Sequence, residues 1–186
     1  MVLHRQRGFS LLELLVTLFV IVLVTSMASL NVGSGDRSLN LESTLRNFSH
    51  SAEFALDEAQ FSATDFGLVF WLRSVEGDWL YGYEWREYRE EKWRQLSADR
   101  PIFASVALPA ELELELEIED TLVGQEALTQ SAGDALPQVI MYASGEVTPG
   151  AMELRNKESG DLLWRVEWDL LGQFRLLLRG EEEPDE

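Results

Sequence analysis

Glu13 is the only charge between Phe9 and Leu30, a run that otherwise contains no Lys, Arg, Asp or Gly. As a helix, that run would measure roughly 33 Å, enough to cross the hydrocarbon of a bilayer. A carboxylate inside such a helix costs on the order of 2.5 to 3.5 kcal/mol and therefore needs a partner. No cationic side chain of the run can reach it. If the chain is cut after Gly8, the new α-amine on Phe9 stands four residues before Glu13. An α-amine has an ordinary pKa near about 8, so it is largely cationic. It could pair with Glu13 of its own chain or of a neighbouring helix, and the second pairing turns a buried charge into an assembly contact.

Other chemistry finds little support. His50 is the only His beyond the first eight residues, and helical spacing places it on a polar face. A Ser/His/Asp set or a His-based metal site therefore lacks its parts. Without Cys there are no disulfides or thiolate sites. Gly33-Ser34-Gly35 follows no strand and reads as a turn, and no P-loop pattern occurs, so no cofactor is expected. Two rows remain as candidates. Trp79, Tyr81, Tyr83 and Trp85 alternate along one strand face, as core, partner contact or sugar platform. Glu113, Glu115 and Glu117, within a row of five glutamates from Glu111 to Glu119, project from one side of another strand. That row calls for solvent, the basic residues of a partner, or a divalent cation; a flat row suits calcium poorly.

The elements that position these residues follow from periodicity. After the apolar span at 9–30, Gly33 and Gly35 predict a joint. Leu41, Leu45, Phe48, Ala52, Ala55, Leu56 and Ala59 then recur at helical spacing to about Ala63, the stripe facing a sheet. From Phe66 the period shortens to two. Strands are expected at Phe66 to Val75 and Trp79 to Tyr88, with Arg86 to Arg94 a charged tip or second turn. Glu111 to Glu119 alternates so strictly that period outweighs the helix propensity of Glu and Leu. Gln138 to Tyr142, Met152 to Arg155, Leu162 to Asp169 and Phe174 to Arg179 complete the strands, and Thr121 to Leu136 is polar loop with room for a short helix. The expected organisation is 1–8 leader, 9–30 transmembrane half of the helix, 31–65 joint and amphipathic helix, 66–180 β-rich domain, and 181–186 acidic disordered tail. The fold class is α+β: one long N-terminal helix, then an antiparallel β-sheet domain of two packed, sandwich-like sheets.

Charge narrows the partners. The 186 residues carry a formal net charge of −18. Without Arg5 and Arg7, the 15 basic residues become 13 against 33 acidic ones, a side-chain balance of −20. Such a surface repels nucleic acid and anionic lipid. His4, Arg5 and Arg7 ahead of the apolar run place the N-terminus in the cytoplasm and the bulk of the chain across the membrane. An acidic residue at the start of so long an apolar region counts against a secretory signal peptide cut near Ser26-Met27-Ala28, and an uncut signal anchor gives the same topology but no reason for Glu13.

A basic leader ending in Gly8, then Phe9, Glu13 and a long apolar helix resembles the processing signal of type IV pilins and type II secretion pseudopilins. Val139-Ile140-Met141-Tyr142-Ala143-Ser144-Gly145-Glu146-Val147-Thr148-Pro149, followed by a hairpin, is similar to a segment of the H-type minor pseudopilins. The resemblance implies cleavage after Gly8 by a prepilin peptidase and N-methylation of Phe9. It also implies assembly with other major and minor pseudopilins into a periplasmic filament, the pseudopilus, from the inner membrane. Its mechanism would be assembly and not catalysis. A minor pilin of a type IV pilus is the nearest alternative, and a membrane-anchored periplasmic carbohydrate-binding protein or hydrolase the alternative of a different class.

Overall fold

The computed structural model describes residues 11–96, 100–129 and 136–181, with side chains for all of these except 24–39. A single helix, α1 (Leu11–Ser62), opens the chain, and the chain divides between Thr44 and Leu45 into two compact units.

The first unit is helical throughout its described part. The joint expected at residues 31–36 is not there: the backbone stays helical through Gly33 and Gly35. Each glycine disfavours a helix by only about 1 kcal/mol relative to alanine, which a long helix tolerates. Leu11 to Leu23 are exposed without exception. Among the described residues, no helix is long and apolar enough to cross a membrane. Of the span expected at 9–30, residues 9 and 10 and the side chains of 24–30 lie outside the described residues.

In the second unit the helix runs from Leu45 to Ser62 and supplies the centre of the core. Leu45, Phe48, Ala52, Ala55 and Ala59 are all buried, on one face at spacings of three and four residues. The alanines keep that face narrow, so sheets can approach the helix backbone. The helix stops at Ala63, whose φ of +50 turns the chain while Thr64 N–H donates to Ala59 O at 3.1 Å.

A hairpin follows, β1 (Phe66–Val75) and β2 (Asp78–Arg89), turned at Glu76-Gly77, with β3 (Lys92–Gln95) folding back on β2. A 3-10 turn, Pro101–Phe103, leads to β4 (Val106–Ala107). Then come β5 (Leu112–Ile118), β6 (Thr121–Leu122), α2 (Gln125–Leu128) and β7 (Val139–Met141). The last strands are β8 (Gly150–Asn156), β9 (Leu162–Trp168) and β10 (Phe174–Leu178). They form two antiparallel sheets: β3-β2-β1-β7 with β4 beside β2, and β10-β9-β8-β5-β6.

Phe48 joins the layers. Its ring lies 6.1 Å from Phe70 and 5.1 Å from Tyr83 of the first sheet, and 6.4 Å from Trp168 and 6.0 Å from Phe174 of the second. Lys157 ties the sheets together at the surface. Its ammonium donates to Trp79 O at 2.8 Å and to Ala110 O at 2.6 Å.

Arg86 departs from the sequence expectation. It does not belong to a charged tip; β2 continues through it to Arg89, and the turn comes at Glu90-Glu91. Both faces of β1 and β2 are covered, so Arg86 and Glu84 are buried on the face away from Phe48. The Glu84 carboxylate accepts from Arg86 at 2.6 Å and from Arg73 at 3.0 Å. The Arg73 guanidinium also lies 4.5 Å from the centre of the Trp71 ring. Replacing Glu84 by Gln takes the shared carboxylate from two guanidiniums, one of them buried. Breaking a buried pair in this way costs about 3–5 kcal/mol. Urea unfolding of the E84Q protein should read a loss of that size.

Candidate assembly surfaces

The residues singled out by sequence fall in three separate places. Gly8 and Phe9 lie outside the described residues. Glu13 sits in the first turn of α1 with its side chain exposed, surrounded by exposed Leu11, Leu12, Leu14 and Leu15.

The aromatic row lies on one face of β2, in register with Ser74, Leu72, Phe70 and Leu68 of β1. Three of its four members are core. Tyr81, Tyr83 and Trp85 are buried, and only Trp79 remains exposed, at 55%. The alternation was legible in sequence; which of its members face solvent depends on where α1 and the second sheet end. Burial pushes the Tyr83 phenol up to about 12. Burial and then the nearby charges of Glu113 and Glu115 raise Tyr81. The Tyr81 hydroxyl accepts from Gln125 Nε2 at 3.2 Å, and the same amide donates to Glu113 at 3.4 Å, linking the aromatic row to the glutamate row.

The glutamate row occupies the outer face of the second sheet, while Leu112, Leu114 and Leu116 point into the core. Its cations come from the chain's own neighbouring strands. In register across β5, β8 and β9 stand Glu115, Glu153 and Arg165; one step along, Glu117, Ala151 and Glu167. Two glutamates directly opposite each other are destabilising unless cations sit diagonally between them. Arg155 does so, 3.1 Å from Glu115 and paired also with Glu153. Arg165 reaches Glu153 and Glu167 at 2.7 Å and Glu117 at 3.5 Å, and Arg175 of β10 reaches Glu167 at 3.2 Å.

This lattice moves the charges in the expected directions. Burial pushes the Glu153 carboxyl up, but hydrogen bonds from Arg165 and Arg155 and their charges outweigh it and hold it below its ordinary value. The hydrogen bond to Glu153 leads in raising Arg155, and that to Glu167 leads in raising Arg165. Sequence reasoning passed over these arginines. Their signal was present: Glu153 and Arg155, and Arg165 and Glu167, alternate with the inward residues Leu154 and Val166.

At the end of this face a cavity of about 390 Å³ lies between Glu117, Glu119, Asp120, Arg165, Trp168 and Arg175. Among the described residues, no group of three or more His, Asp or Glu is arranged to hold a metal ion. The arrangement offers a patterned charged surface.

A helix exposing apolar side chains at its N-terminal end and packing its C-terminal part into an antiparallel two-sheet body defines a pilin-like subunit. A family profile for the prokaryotic N-terminal methylation motif matches residues 3–29. Over 186 aligned residues, 97% of this chain and 98% of the relative, the sequence is 30% identical to type II secretion system protein H of Aeromonas hydrophila. It is 28% identical to the protein of the same name from Pseudomonas aeruginosa, over 83% of this chain and 86% of that one. The fold is similar to the crystal structure of the minor pseudopilin EPSH from the type II secretion system of Vibrio cholerae. The TM-score is 0.56 at 24% identity, covering 75% of this chain and 94% of that one. The solution structure of Escherichia coli GspH gives 0.55 at 18% identity, covering 79% and 94%. The chain belongs to the type II secretion system protein H family, the H-type minor pseudopilins.

The lattice predicts an acid-dependent stability. With its folded pKa depressed, Glu153 binds fewer protons folded than unfolded. Its contribution is present above the ordinary carboxylate value, about 4.3, and lost as pH falls through the lower folded value. E153Q should cost about 1 kcal/mol at pH 7, because Arg155 and Arg165 keep other carboxylates. Unfolding curves from pH 6 to pH 3 should show that difference shrinking with acid.

Proposed function

We propose that this chain is a structural subunit of the periplasmic pseudopilus. In this reading prepilin peptidase removes residues 1–8 and methylates the amine of Phe9, which leaves its charge in place. Residues 9–30 hold the subunit in the inner membrane with the β-body in the periplasm. On assembly, the Phe9 amine meets Glu13 of a neighbouring subunit. That contact sets the axial register, because an unpaired carboxylate in hydrocarbon is costly and a paired one is not. The protein acts by being placed and by selecting neighbours, and turns over no substrate.

The observation that carries the proposal is the near full-length match to protein H, together with a methylation motif over residues 3–29 that includes Gly8, Phe9 and Glu13. The carbohydrate-binding alternative needs an exposed aromatic platform, and Tyr81, Tyr83 and Trp85 are buried.

Mass spectrometry of the protein from its host should find an N-terminus at Phe9 carrying one methyl group; a chain still beginning at Met1 would remove the donor for Glu13. Glu13→Ala should abolish secretion by the system while leaving the amount of subunit unchanged. Secretion at the parental rate in that variant would refute the assembly role.

A further inference from the structure

In an antiparallel pair, alternate residues turn both their N–H and C=O away from the partner strand. On β2 the carbonyls turned away from β1 are those of Trp79, Tyr81 and Tyr83, and each is answered. Trp79 O accepts from the Lys157 ammonium at 2.8 Å, Tyr81 O from Leu108 N–H at 2.8 Å, and Tyr83 O from the Ser105 hydroxyl at 3.3 Å. Their register partners on β1, Ser74, Leu72 and Phe70, therefore face the opposite edge. There β7 covers only Phe66 to Leu68. At Phe70 a side chain imitates a strand: the Gln138 amide accepts from Phe70 N–H at 2.9 Å and donates to Phe70 O at 3.3 Å. Pro137 then lies over the face of Gly67, where a Cβ would meet its ring at 2.3 Å, and so off the edge. At Leu72 and Ser74 the series stops. Neither residue has a partner for its N–H or C=O on this edge among the described residues.

Leu72 is 9% exposed, so water reaches it poorly, and an unpaired main-chain group there is costly. Two side-chain donors beside it, Trp71 Nε1 and Arg73 Nε, are also buried without a partner among the described residues. Four main-chain groups in line at strand spacing fit an extended peptide; a helix has its own groups paired internally. The side chains say which peptide. Phe70 faces Phe48, so Leu72 and Ser74 point inward with it, and Trp71 and Arg73 point outward. Residues opposite each other across an antiparallel pair share a face. A carboxylate opposite Arg73 meets its guanidinium, and an apolar residue opposite Leu72 continues the inner face. The chain's own tail, Glu181 to Glu186, offers acids but no apolar residue except Pro184. A second copy paired edge to edge about a two-fold axis at this strand would set Arg73 against Arg73.

We propose that the open edge of β1 at Leu72 and Ser74 takes an extended segment of another protein as an added antiparallel strand, with an apolar residue opposite Leu72 and Asp or Glu opposite Arg73. The main chain of Leu72 and Ser74 holds the segment by four hydrogen bonds, and Arg73 selects its charge. The inference stands apart from the filament reading.

The test reads amide hydrogen exchange by NMR in the full-length chain in detergent micelles. Without ligand, Ser74 N–H should exchange about tenfold faster than Arg73 N–H, which faces β2. The probe is the synthetic peptide acetyl-Thr-Val-Glu-Val-Thr-amide at millimolar concentration. It should slow exchange at Leu72 and Ser74 by about tenfold and leave β10, the outer strand of the second sheet, unchanged. The same peptide N-methylated at both valines has lost its donors and should slow neither residue. With Lys in place of Glu, the concentration needed should rise by about tenfold, since a like charge now faces Arg73. Ser74 exchanging as slowly as Arg73 without peptide would show the edge already covered and overturn the proposal. So would an absence of slowing, equal slowing by the N-methylated peptide, equal slowing along β10, or indifference to the Glu-to-Lys change.

Discussion

The contact of Phe48 with both sheets is the constraint on which the body depends. One ring meets Phe70 and Tyr83 on one side and Trp168 and Phe174 on the other, at centre separations of 5.1 to 6.4 Å. A helix can hold two sheets in this way only if the rest of its inner face is thin, and Ala52, Ala55 and Ala59 make it so. The same helix is the element that extends toward Leu11. The part of the chain proposed to register the subunit against its neighbours is therefore continuous in backbone with the core of the part that distinguishes it from them.

Charge is the second organising constraint. An acidic chain that places glutamates opposite one another on a sheet must supply its own cations, and Arg155 and Arg165 each serve two or three carboxylates to do so. The buried Glu84 between Arg73 and Arg86 solves the inverse problem, one carboxylate shared by two guanidiniums. With 33 acidic residues against 15 basic ones, that pairing uses only some of the carboxylates. Asp57 and Glu53, on the same helix as the exposed Phe54 and Phe61, are among the carboxylates with no ion pair among the described residues.

Sequence identity of 24% or less to the solved structures accompanies TM-scores of 0.55 and 0.56, so the architecture is held by pattern more than by particular residues. Inward positions need only be apolar and of suitable volume. Outward positions, where this chain carries its arginine lattice, are under no such packing constraint.

Much of the architecture was legible because it rests on local period. The helical stripe from Leu45 to Ala59, the hairpin of β1 and β2, and the strand of alternating Leu and Glu all follow from spacing alone. What spacing could not decide was what lies across a strand. Trp79, Tyr81, Tyr83 and Trp85 have the same phase, yet one is exposed and three are core, because burial depends on where the covering layer ends. The glutamate row called for solvent, a partner's basic residues or a divalent cation; strand order placed Arg155 and Arg165 of the same chain beside it. Gly33 and Gly35 signalled a break, but the backbone stays helical through both. Local periodicity is a property of the chain, whereas register and cover are properties of the assembled sheets, and only the tertiary structure could decide them.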